Sequence, residues 1–400
     1  MRKTVWLCLW VVLASSCSET NDDNSVIEDP RVRFSLDVQV VSQGFNGEWC
    51  WFHPRATRLG DENSIALLMQ PWITNQSDFF QFLSEMRTSD KGQTWSEPVS
   101  LSDVLGEKWE DSVMVRICDV TPQWHQKSGT VLATGHSVRY INGSLLRNIM
   151  EPIYFHYSPN EEKWSSWEIL QMPDLPEFER ACFGCSQWVE RENGDVLLPV
   201  YFLKDPTSSR YTSTVFHCKY DGDKLNYVEH GDYLDYERGV GLCEPSLIEF
   251  KGEYYLTLRS DSTGFVTKSK DGLHFDTIRE WSFNDSTLVY SINTQQHWVK
   301  SPRALFLVYT SRREENKNVA KKRYRAPLFM AQFNEKEMVL MKETECILVP
   351  NNGAQLGNFG AFDLNEHESW VTTSEGMDNI AIAQGIADGR VYVVKINWEQ

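Results

Sequence analysis

The sequence is poor in three things that would each have pointed to a function class. Positive charge is the first: 39 Lys and Arg stand against 56 Asp and Glu, for a net charge of -17 at pH 7. A general nucleic-acid partner needs the opposite balance, so none is expected. An acidic ligand stays compatible, because a local basic pocket can sit on an acidic protein. Long amphipathic helical patterns are the second scarcity. What recurs instead is short strand-like runs between turn signals. The third is paired metal-binding cysteine motifs. Cys182 and Cys185 form one CxxC, and no second CxxC follows to complete a zinc site. No metal or cofactor is therefore expected. Of the nine cysteines, Cys8 lies in the leader and Cys17 is a lipidation candidate. The other seven, Cys50, Cys118, Cys182, Cys185, Cys218, Cys243 and Cys346, are odd in number, so at least one has no partner within the chain. Several open apolar runs, where a thiol is an ordinary small buried group. Disulfides are the alternative.

The apolar run Val5–Leu13 follows Arg2 and Lys3 and is too short for a stable span, so residues 1–16 read as a secretory signal. LASSC resembles a bacterial lipobox with Cys17 as the lipidated residue, although Leu13 sits one place early. Plain cleavage without lipid is the alternative. Residues 17–32, SETNDDNSVIEDP at their centre, suit a flexible acidic tether. An acidic stretch after a lipidated Cys resembles the surface-export signal of Bacteroidetes lipoproteins. The expected location is the outer membrane, surface-exposed or periplasmic, with the lipid as the only membrane contact. Residues 33–400 are expected to form a single domain. A hydrophobic content of 41% suffices for a large core, and most of the fifteen Trp are expected in it.

The octet Thr88–Trp95, TSDKGQTW, is the most informative stretch. Asp90 can accept hydrogen bonds from the backbone of its own turn. Gly92 supplies a conformation that a Cβ would oppose, and Trp95 can bury its ring against the sheet. A looser copy holds Ser269, Asp271, Gly272 and Phe275. The octet fits the aspartate box, S/T-x-D-x-G-x-T-W, and the chain thereby resembles the sialidase superfamily of β-propellers. These boxes brace the outside of a blade. A larger period of roughly 60 residues also runs through the chain. Its openings are WCWFHPRATRL (49–59), VRICDVTPQW (115–124), ACFGCSQWVE (181–190), LCEPSLIEF (242–250), NTQQHWV (293–299) and NFGAFDL (358–364). The expected fold is all-β, a six-bladed sialidase-like propeller of four-stranded antiparallel blades. FSLDVQVV (34–41) is expected to close the ring against VYVVKI (391–396), leaving no long free edge.

In a propeller the inner strands aim at one central depression, so the openings hold the candidate site. EPSLIEFKGEYYLTLRS resembles the sialidase segment in which a Glu opens one strand and an Arg ends the next, here Glu244 and Arg259. The resemblance implies three arginines on a substrate carboxylate, and planar guanidinium groups suit that task. Arg55 is the first-arginine candidate, with the motif order changed to His53-Pro54-Arg55. Arg325 and Arg312, both within the basic stretch 311–327, compete for the third place. Asp78 occupies the loop of the sialidase acid/base. His53 and His136 are further pocket candidates. One departure is large: after Tyr324 the only tyrosine is Tyr392, in a terminal strand, so the family's late tyrosine nucleophile is missing. Gln295 and His297 lie on one strand face nearby, and His297 is a candidate base.

The leading expectation is an exo-acting glycoside hydrolase that releases a terminal acidic sugar, sialic acid first. Direct attack by water, assisted by His297 or Glu244, would invert the anomeric centre. The alternatives are a lyase or dehydratase acting on uronate-containing glycans, and a noncatalytic glycan-binding surface lipoprotein. The expected partner is an acidic glycan, and the expected state a monomer.

Overall fold

In a computed structural model of the chain, residues 31–74, 79–146, 150–205, 207–313 and 325–399 are described. Residues 1–30, which hold the expected signal segment, Cys17 and most of the expected tether, and Asp78 lie outside the described residues. The described strands fall into six antiparallel sheets, most of them four strands deep. We number the sheets by their first strands: Trp49–Leu59, Val113–His125, Ala181–Cys182 with Val189–Glu190, Cys243–Phe250, His297–Lys300 and Gly360–Asn365. From that strand each sheet steps outward through its next two strands in chain order.

The middle strands explain why the sequence shows apolar runs and little alternation. Leu305–Thr310 is buried along its whole length, and so is Val196–Phe202. Side chains alternate across a strand, and here both faces meet another sheet. Leu305, Leu307 and Tyr309 pack with Ile248, Tyr255 and Val266 of sheet 4. Phe306 and Val308 point the other way, onto Val371, Tyr392 and Val394 of sheet 6. The same rule joins sheets 1 and 2 through Ala66, Leu68, Val131 and Ala133. It joins sheets 2 and 3 through Leu132, Tyr154 and Leu198, and sheets 3 and 4 through Leu197, Val215 and Leu256. Ile65, Leu67 and Met69 finally meet Trp370, Val391 and Val393, so sheet 6 packs on sheet 1. The cores therefore form a closed ring.

Closure is also made by hydrogen bonds. Phe34–Gln43 pairs antiparallel with Arg390–Trp398, Phe34 opposite Trp398 and Val40 opposite Tyr392. The first described strand thus supplies the outermost strand of the last sheet.

Both expected turns form, each between the third and fourth strands of its sheet. The Asp90 carboxylate accepts the backbone N–H groups of Gln93 and Thr94, at 3.0 and 2.9 Å, and the Thr88 and Thr94 hydroxyls. Those bonds, the Thr94 hydroxyl foremost, hold its carboxyl well below the usual range. Asp271 accepts from Leu273 N and His274 N, both at 2.9 Å. Gly92 has φ 74°, and a Cβ there would lie 2.8 Å from the Trp370 ring. No disulfide links the seven described cysteines to one another, and six of them are buried.

Candidate active site

One backbone device recurs within the first strands or just ahead of them. His53 (φ 51°), Asp119 (54°), Cys185 (62°), Glu244 (44°) and Asn293 (52°) all adopt positive φ. Pairing registers shift at Phe52/Arg55, Cys118/Thr121 and Cys243/Ser246. A bulge re-aims the side chain it carries. For a residue with a Cβ this conformation costs about 1–3 kcal/mol, and such strain clusters at functional sites. Five residues far apart in sequence are thereby turned toward the same end of the axis. Asn358 precedes the first strand of sheet 6 at the matching place, without positive φ.

On one side stands a histidine–carboxylate group. His53 Nδ1 lies 2.8 Å from Asp119 Oδ1. His136 Nδ1 lies 3.9 Å from Asp119 Oδ2, and its Nε2 is 3.2 Å from Cys118 Sγ. Burial opposes the Asp119 charge, but His53, His136 and Arg55 together hold the carboxyl well below its usual range. The contact with Asp119 engages His53 Nδ1 and leaves Nε2 as the position for proton transfer. Phe52 and Phe80 pack against the His53 ring at 4.6 and 5.3 Å, an apolar wall beside the imidazole.

On the other side stand arginines gathered on one residue. Arg259 pairs with Glu244 and donates from Nε to Asn293 Oδ1 at 2.8 Å. Arg325 donates from Nη2 to the Asn293 carbonyl at 3.1 Å and from Nη1 to Asn358 Oδ1 at 3.2 Å. Burial disfavours the Arg259 charge, yet Glu244 beside it pushes the guanidinium above its ordinary value. Cys185 lies between the two sides and feels Arg55, Asp119, Glu244 and Arg259, but burial dominates and keeps its thiol neutral. Tyr201 and Tyr211 also stand near Glu244; burial raises both phenols, Tyr211 to about 12.

Several expected site residues sit elsewhere. Arg55 is two residues past the His53 bulge and only 1% exposed. Its guanidinium donates to Val120 O, Cys185 Sγ and Gln295 Oε1 at 3.1, 3.0 and 3.2 Å. It braces the floor, and His53 takes the rim position expected of it. Gln295 orients Arg55 and donates to Phe359 O at 2.6 Å. His297 is 1% exposed, with Nδ1 2.8 Å from Ser246 Oγ. Burial and then Arg55 push its pKa well below the usual value, so it is a neutral part of the packed axis. Arg312 is exposed on the surface, its backbone N–H bonded to Tyr290 O at 2.8 Å. The structure thus gathers Glu244, Arg259, Arg325, His53 and His136, and places Arg55, Gln295 and His297 beneath them. Asp119, Cys185, Asn293 and Asn358 were not anticipated. Aligning the six openings on Glu244 would have put all four in one column with His53.

Cys118, Asp119 and His136 have possible metal-ligand atoms within 4.8 Å of one another. However, His136 meets Cys118 with Nε2 and Asp119 with Nδ1. As placed, the His136 ring bonds the Cys118 thiol and stands 3.9 Å from Asp119, so the group reads as a polar cluster around the carboxylate.

No protein-family model matches the chain, and no curated protein does. Solved structures do. A Dyadobacter fermentans protein of unknown function aligns with TM-score 0.63 and 13% identity, over 90% of this chain and 99% of that one. Trypanosoma rangeli sialidase aligns with TM-score 0.60 and 12% identity, over 90% of this chain and 59% of its own length. A Hadza microbial sialidase aligns with TM-score 0.60 and 12% identity, over 87% and 66%. The class is therefore an all-β propeller of mostly four-stranded antiparallel sheets. Its particular likeness is sialidase-like, at a sequence identity that speaks for fold alone.

Proposed function

We propose that this chain is an exo-acting glycoside hydrolase that releases a terminal acidic sugar, sialic acid first, from a six-bladed propeller with two aspartate boxes. The observation that carries the reading is Arg259 and Arg325, brought from different sheets onto Asn293 beside Glu244. Two guanidinium groups fixed this way favour a carboxylate ligand. Opposite them, His53 Nε2 accepts a proton from water while Asp119 holds Nδ1 and stabilises the imidazolium. Water then attacks the anomeric carbon, the glycosidic C–O bond breaks, and the leaving oxygen takes a proton from an acid for which Asp78 is the candidate. Attack by water inverts the anomeric centre.

The His53–Asp119–His136 chain favours one second reading. A β-eliminating lyase needs a carboxylate neutralised by arginines and a base for the neighbouring carbon-bound proton, and the same groups would supply both. One digest separates the readings. The protein is incubated with sialyllactose and, separately, with uronate-containing polysaccharides, and the products are weighed by mass spectrometry. Added water and free sialic acid support the hydrolase. Lost bond with no added water, and new ultraviolet absorbance, support the lyase. Binding without turnover removes both and leaves a glycan-binding lipoprotein. Outer-membrane anchoring through Cys17 is part of the proposal; absence of palmitate label on the wild-type chain would sink it.

A further inference from the structure

The axis has a second mouth. The first strands all run the same way, so the ends opposite the bulges also converge. They enclose a cavity of about 580 Å³, within the range of small-molecule sites. Gln187 seals it from the first mouth: its amide bridges Trp298 O and Ala361 O at 2.9 and 3.1 Å, and accepts from Trp298 N at 2.7 Å.

Three observations define what this cavity suits. Its charges are interspersed, with Arg58, Lys251 and Lys300 among Glu190, Glu249 and Asp363. No strong field of one sign results, which disfavours a polyanion or polycation. Arg58 lies over the half-buried Trp124 ring, 5.3 Å from its centroid, and donates to Gln126 Oε1 at 2.6 Å. Guanidinium and indole form a flat plate on the wall. Third, Thr57 Oγ1, Thr121 Oγ1 and Trp188 Nε1 are buried without a hydrogen-bond partner, and all three residues line the cavity. Native proteins rarely leave such groups unpaired. Beside them, Asp363 accepts from Lys300 N at 3.1 Å and Ser369 Oγ at 2.6 Å. A carboxyl and an ammonium carried by neighbouring strands match the adjacent hydroxyls of a sugar ring. The plate of Arg58 and Trp124 matches its face.

We propose that the second mouth is a binding site for an uncharged, hydroxyl-rich sugar, separate from the acidic-sugar site at the first mouth and independent of its reaction. The test is saturation-transfer NMR and calorimetry on the full chain with lactose, cellobiose and maltose, each in turn. Glucuronic acid and sialyllactose serve as charged probes. The expected result is binding of at least one neutral disaccharide, weakened tenfold or more by Trp124→Ala and by Lys300→Met, and unchanged by Arg259→Lys. Lys300 is a partly exposed side chain, so Lys300→Met keeps the test open should Trp124→Ala lower the melting temperature. No binding of any neutral disaccharide overturns the proposal. So does binding that Arg259→Lys abolishes and Lys300→Met spares, or binding at this mouth by the charged probes alone.

Discussion

The two mouths of the axis are built from the same first strands, and they differ in how charge is arranged there. At the leading ends His53, Asp119, Cys185, Glu244 and Asn293 are held at positive φ, and each of these carries a polar side chain or thiol. Titratable groups meet there at close range, Glu244 on Arg259 and Asp119 beside His53. At the trailing ends the ladders slip too, at Arg58/Leu59 and Asp363/Asn365, but the charges are interspersed. Strain and tightly paired buried charge are costly, and a fold concentrates them where they serve chemistry. Holding a neutral ligand needs neither. On the proposed readings the contrast separates a reacting mouth from a binding mouth, and each side of it can be broken.

The largest effect belongs to His53. His53→Gln keeps a polar side chain but removes the proton acceptor, and turnover is expected to fall by about 10²–10⁴. Binding at the second mouth should not change. A variant that turns over at the wild-type rate would move the base elsewhere in the ring, with His136 next. Asp119→Asn should imitate the loss, because it removes the charge that holds Nδ1.

Arg259→Ala is expected to cost about 3–5 kcal/mol of stability, because Glu244 is left half-enclosed without its counter-charge. Lys300→Ala at the other mouth should stay within about 0.5 kcal/mol. Chemical denaturation of both variants checks the pair. Equal costs would mean that the first mouth stores no special electrostatics.

How much of this was legible in the sequence follows from the same contrast. The sheets were legible because apolar runs such as LFLVYT and VLLPVYF must be buried on both faces. Turn chemistry at Asp90 and Asp271 then marked where strands end. Glu244 and Arg259 were legible because a strand-opening Glu and a strand-ending Arg lie one hairpin apart. Arg55 misled for a local reason. The bulge at His53 shifts the register, so the residue named by its charge points inward and the histidine two places earlier faces the mouth. Asp119, Cys185 and Asn293 share that position, yet no residue type marks it; only the backbone does. Gln187 and the second mouth were hidden for a further reason: they arise from six strand ends that no local pattern connects.

His297 sits between the mouths and links stability to pH. Its folded-state pKa is depressed while the unfolded histidine titrates near its ordinary value of about 6.5. Below that pH the unfolded chain binds a proton that the folded chain excludes. Stability is thus fully present above about pH 6.5 and falls as the pH drops, by about 1.4 kcal/mol per pH unit. Melting curves from pH 7.5 to 5 should show the slope in the wild type, and His297→Gln should reduce it. An unchanged slope would mean that His297 is protonated in place, and that the axis admits charge between the two mouths.

The smallest effect tests whether the box turn stands apart from both mouths. Gly92 and Gly252 each have positive φ, 74° and 77°. A Cβ at Gly252 meets nothing within 4 Å, whereas one at Gly92 meets the Trp370 ring at 2.8 Å. Gly252→Ala should therefore cost only the backbone penalty, about 1 kcal/mol. Gly92→Ala should cost that and about 1 kcal/mol more, for displacing a packed indole. Trp370 belongs to the core that joins sheet 6 to sheet 1, so the extra cost reads how firmly the box fastens the ring's closure. Turnover at the first mouth and sugar binding at the second should be unaffected at temperatures well below unfolding. A change in either would show that the closure sets the spacing of the strand ends, and that the two mouths are coupled through the rim.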